Sequence, residues 1–172
     1  MKKTIKLFML LVICIIAIIA MTGCGEKSTT VTYDSETATI SLSYPETAGY
    51  TYTENKDELK STMNVAGIIA ENFEIDIRVE RLGVLNFQEL VDKRLDTYGD
   101  REEFPARKIT VAGQETVELY YNNYVSLLFP STDKECFEVL VYGDGFSNEK
   151  IKAAYDLPEV QEILKTIVVK VK

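Results

Sequence analysis

Histidine is absent from all 172 residues. Zinc, copper and haem sites, and any Ser-His or Cys-His nucleophile, therefore lose their commonest member. Two S-x-x-K spacings, Ser131 to Lys134 and Ser147 to Lys150, carry the residue types of Ser-Lys acyl transfer. That chemistry needs the serine at the start of a buried helix in a larger domain with further motifs, so both are expected to be coincidences of composition. Carboxylates are the abundant reactive groups. Asp92, Asp96, Asp100, Glu102 and Glu103 could gather oxygen around calcium, but no EF-hand spacing is present and Lys93 and Arg94 interrupt them, which describes a solvated helix face. Glu74, Asp76 and Glu80 alternate along one segment with Arg78 among them. One strand cannot supply both acids of a glycosidase, and cross-strand pairing accounts for these residues. Cys136 sits between Glu135 and Glu138, whose charges are expected to raise its thiol pKa and leave it unreactive. Tyr120, Tyr121 and Tyr124 cluster about Asn122-Asn123 and could form an amphipathic platform for a protein, a peptide or a sugar face. Alternation places Tyr120 and Tyr121 on opposite faces of a strand, so at least one of them belongs to a core. Nothing in these spacings asks for a metal or a cofactor.

The elements that must position these groups follow from periodicity. Ala38, Ile40, Leu42 and Tyr44 alternate with polar residues up to Pro45, which cannot donate to a ladder. Tyr50 to Thr53 and Met63 to Ala70, the latter broken at Gly67, read as strands. Phe73, Ile75, Ile77 and Val79 then alternate with four charged residues, so one face of this sheet is expected to be covered and the other wet. The period changes at Phe87, Leu90, Val91, Arg94, Leu95 and Tyr98, which share one helical face behind an Asn86/Glu89 capping box. This helix is expected to cover the sheet. Strands are expected at residues 107–112, 115–121, 124–129 and 136–142, with hairpin turns at Gly113-Gln114 and Asn122-Asn123. Helices at 148–154 and 158–167 and a last strand at 168–171 complete an α+β domain in which an antiparallel sheet is covered by helices. No internal repeat is evident.

The N-terminus has a different character. Lys2, Lys3 and Lys6 precede an apolar run from Leu7 to Met21, and Met21-Thr22-Gly23-Cys24 closes it with a small residue before cysteine. A membrane-crossing helix needs about 20 apolar residues; this run of 15 is a signal h-region. The pattern resembles a bacterial lipoprotein signal. That resemblance implies cleavage of residues 1–23 and a diacylglycerol on the thiol of Cys24, anchoring the chain in the membrane on its extracytoplasmic side. Residues 24–36 would form the lipidated end and a tether with a reach of roughly 20 Å. The 149 residues from Cys24 suffice for one domain, placed at 37–172. Loss of three lysines with the signal moves the net charge from -8 to -11, which opposes nucleic-acid binding. Cys14 leaves with the signal and Cys24 is blocked, so Cys136 has no intrachain partner.

Three segments carry a second resemblance. Ile40-Ser41-Leu42-Ser43-Tyr44-Pro45 with Gly49-Tyr50, then Ile109-Thr110-Val111-Ala112-Gly113 with Leu119-Tyr120-Tyr121, and Ile163 to Val169 resemble the first strand, the later strand-Gly-strand and the C-terminal helix-strand of PsbP-like proteins. The similarity spans roughly residues 36–172 and implies an α/β/α sandwich. It also implies a binding or assembly factor in place of an enzyme. The expected function is therefore a non-catalytic, lipid-anchored module at the cell envelope, with a protein or envelope polymer as partner. The alternative from a different class is an envelope hydrolase working through carboxylates, with or without a divalent cation.

Overall fold

The computed structural model describes residues 27–46, 49–54, 62–121, 123–145 and 147–172. Ten strands and three helices are assigned among these residues. They are β1 (Ser28–Asp34), β2 (Ala38–Pro45), β3 (Thr51–Glu54), β4 (Thr62–Ile69), β5 (Phe73–Arg81), α1 (Phe87–Tyr98), β6 (Arg107–Val111), β7 (Gln114–Tyr120), β8 (Val125–Pro130), β9 (Glu135–Gly143), α2 (Asn148–Tyr155), α3 (Pro158–Leu164) and β10 (Val168–Val171). Every strand pairing is antiparallel. The large sheet runs β3-β4-β5-β9-β8-β7-β6 and a small one runs β1-β2-β10.

Strand alternation builds the layers. Phe73, Ile75, Ile77 and Val79 of β5 lie beside Phe137, Val139 and Val141 of β9, which in turn flank Val125, Leu127 and Phe129 of β8. This face packs on Ile40 and Leu42 of the small sheet, Ile151 of α2, and Val160, Ile163 and Leu164 of α3. Ile75, Ile40, Leu127 and Ile151 are at most 1% exposed, and burial of each side chain contributes about 1.5–3 kcal/mol. The opposite face carries α1. Leu90 and Val91 are pressed onto Val117, Leu119, Leu128 and Cys136 in a second, smaller cluster.

The expected capping box is present: Asn86 Oδ1 accepts from Glu89 N at 2.9 Å and Glu89 Oε2 accepts from Asn86 N at 2.8 Å. The break at Gly67 also has a structural reason. A Cβ there would lie 2.5 Å from the carboxylate of Asp76, its cross-strand partner, so a bare glycine leaves room for a buried acid.

Three expectations are corrected. Residues 28–34, read as tether, form β1 along the whole of β2, because Val31 is buried and Tyr33 meets the ring of Phe137 edge-on at 6.4 Å. The charged face of β5 is not wet: Asp76 is buried, and Glu74, Arg78 and Glu80 are half-buried. The first hairpin turn lies one residue earlier than expected, at Ala112-Gly113, where Val111 pairs with Gln114 and φ is 52° and 77°. Both values suit a two-residue turn with the twist that antiparallel strands need. The whole signal, Cys24 included, lies outside the described residues.

Candidate functional site

Beyond the end of α1, the same sheet face carries a row of tyrosines drawn from three parts of the chain. Tyr98 is the last residue of α1, Tyr121 and Tyr124 flank the β7-β8 turn, and Tyr142 lies near the end of β9. Their rings meet in sequence: Tyr98 to Tyr121 at 5.5 Å, Tyr121 to Tyr124 at 4.8 Å and Tyr124 to Tyr142 at 5.4 Å between centroids. Each is half-buried, so each presents part of its ring to solvent. The exposed Arg101 stacks over Tyr98 at 4.4 Å and donates to the carbonyl of Tyr120 at 2.9 Å. One guanidinium therefore ties the chain leaving the helix to the hairpin, and places a cation on an aromatic face.

Fixed charges lie beneath the rings. Arg94 donates to the hydroxyl of Tyr121 at 2.7 Å and reaches Glu80 at 3.7 Å. Glu138, almost wholly buried, accepts from Ser126 Oγ at 2.5 Å and from Arg78 at 3.4 Å. Burial, then the neighbouring Glu138, holds the Glu80 carboxyl above its ordinary value against the pull of Arg94 and Arg78. Burial likewise pushes the Tyr121 hydroxyl far above the usual phenol range, and raises Tyr124 with help from Glu138. Tyr121 and Tyr124 therefore stay neutral at physiological pH, and the row forms an aromatic ledge above these charged side chains. Such a ledge offers flat apolar area with little side-chain entropy left to lose, which suits recognition.

Of the three tyrosines expected to bind, Tyr121 and Tyr124 are in this row and Tyr120 is not. Tyr120 faces the other side, is 5% exposed, and packs on Phe104 at 4.9 Å and Tyr155 at 6.2 Å. Strand alternation decides this, as the opposite facing of Tyr120 and Tyr121 required. Tyr98 and Tyr142 take its place. Tyr98 shares the apolar helix face with Leu90, Val91 and Leu95, and Tyr142 is in phase with Cys136, Glu138 and Leu140, but only the sheet order brings the two together.

Other residues singled out by type fall elsewhere. Ser147 caps α2, accepting from Lys150 N at 3.4 Å. Asp92, Asp96, Asp100, Glu102 and Glu103 are exposed, and no three acids, cysteines or histidines converge as metal ligands among the described residues. Cys136 is fully buried with a thiol held far above its ordinary value, chiefly by burial and then by Glu80 and Glu138. Desolvation thus exceeds the charge effect read from its neighbours in sequence. No helix among the described residues is long and apolar enough to cross a membrane.

No family model matches this sequence, and no curated relative does. Among solved structures, the chain is similar to the solution structure of cyanobacterial PsbP (CyanoP) from Synechocystis sp. PCC 6803. The TM-score is 0.51 at 10% identity, covering 86% of this chain and 98% of that one. The fold is PsbP-like: an antiparallel α+β sandwich, as the three quoted segments implied.

Proposed function

We propose that this protein is a lipid-anchored extracytoplasmic module that binds a partner at the cell envelope and performs no covalent chemistry. Its anchor is a diacylglycerol on Cys24, and its docking surface is the row Tyr98, Tyr121, Tyr124 and Tyr142 beside Arg101. The tyrosine row is the observation that carries the docking half of this reading, because four packed, half-exposed rings with one stacked cation form a preorganised contact surface. The lysine-flanked h-region and the small residue before Cys24 carry the anchoring half. Two acyl chains at roughly 0.8 kcal/mol per buried methylene would make attachment effectively permanent. The PsbP-like fold is compatible with such a module but selects no ligand.

The two halves separate experimentally. Intact-mass measurement on the native membrane protein should give a chain that begins at Cys24 and carries a diacylglyceryl group, and Cys24→Ser should move it out of the membrane fraction. An unmodified thiol at Cys24 overturns the anchor. Pull-down from solubilised membranes should recover a stoichiometric partner, with recovery reduced about tenfold by Tyr124→Ala combined with Tyr142→Ala. Equal recovery by wild type and variant overturns the docking surface.

A further inference from the structure

A polar pocket of about 420 Å³ opens where the β1-β2 turn meets the end of β5 and the start of β9, away from the tyrosine row. Its lining is Ser35, Glu36, Thr37, Arg81, Lys134 and Glu135. Glu135 is the unusual member. It is 8% exposed, and its Oε1 accepts hydrogen bonds from the hydroxyls of Ser35 and Thr37. Oε2 makes no hydrogen bond among the described residues and is not sealed from solvent. Arg81 lies opposite Glu135 in the β5-β9 ladder, yet neither Arg81 nor Lys134 makes a side-chain ion pair among the described residues.

The protein satisfies Oε1 of this carboxylate and leaves Oε2 available to a ligand in the pocket. A bare cation would complete the other oxygen, but it would enter past the cationic side chains of Arg81 and Lys134. An anion would meet Glu36 and Glu135. The lining holds two acids and two bases, so it suits a ligand that carries both charges. We propose that this pocket binds a small zwitterion of the α-amino-acid type. The ligand's ammonium donates to Glu135 Oε2 and its carboxylate is held by Arg81 and Lys134. The volume lies within the range of small-ligand sites, roughly 300–1,000 Å³. The proposal does not depend on the anchor or on the tyrosine row.

Calorimetric titration of the full chain with glycine, alanine, leucine, glutamate and lysine provides the test. At least one of them should saturate, and its N-acetyl and methyl-ester derivatives should each bind at least tenfold more weakly. Arg81→Ala with Lys134→Ala, both at exposed positions, should weaken binding by a similar factor at unchanged melting temperature. Glu135→Gln should abolish binding, but it also disturbs a buried contact between the sheets, so the capped ligands give the decisive comparison. Failure of all five amino acids to bind up to about 10 mM, or equal affinity for a capped derivative, overturns the proposal.

Discussion

Glu138 and Glu80 lie on neighbouring strands of one sheet face, yet burial and partners give them different roles. Glu138 holds Arg78 and Ser126 together beneath the tyrosines, so Glu138→Ala would remove one acceptor from each. We expect a loss of about 2–3 kcal/mol in urea-unfolding stability. Glu80 behaves in the opposite sense. Its carboxyl is held above its ordinary value, so the folded chain binds that proton more tightly than the unfolded chain. The corresponding stability is intact below the ordinary carboxylate range and is lost as pH rises through the folded value. Glu80→Gln, which cannot ionise, should therefore gain on wild type as pH goes from about 4 to about 7, as read from paired urea curves. Cys136, fully buried, should resist alkylation in the native chain and label completely in denaturant, as peptide mapping by mass spectrometry would show.

Local signals placed most elements to within a residue or two, because each carried its own period or cap. The α1 start is the clearest case: Asn86 and Glu89 exchange both capping bonds, and Asn86→Ala should lower stability by about 1 kcal/mol in urea unfolding. The β6-β7 turn is set by strand register and not by its glycine alone. Gly113 drew the turn towards Gln114, but the register makes Ala112 the first turn residue, at a φ of 52° that alanine adopts with strain. Ala112→Asn should accordingly stabilise the protein by roughly 0.5 kcal/mol. The β1 segment was invisible for a different reason. Its Ser and Thr residues read as polar linker, and only pairing with β2 gives them a sheet edge to satisfy.

At the scale of the whole molecule, β1 belongs to the folded body, and the small sheet closes over the core that the large sheet begins. A chain shortened to start at Thr37 would lose the buried Val31 and the Tyr33 ring on Phe137, and should be roughly 3 kcal/mol less stable in urea unfolding than one starting at Lys27. Charge balance, the missing histidine, the single cysteine after Cys24 and the N-terminal signal pattern are properties of composition and local order, and the sequence determines them alone. The same holds for the α+β class, since periods of 2 and 3.6 are written in contiguous residues. The gathering of Tyr98, Tyr121, Tyr124 and Tyr142 is not written that way. Nor is the meeting of Glu135 with Ser35 and Thr37, which are about 100 positions distant along the chain. Both depend on the strand order β5-β9-β8-β7 and on how the small sheet seats against it. Non-local pairings are selected by the burial of the entire core, and only the tertiary structure decides which side chains they bring together.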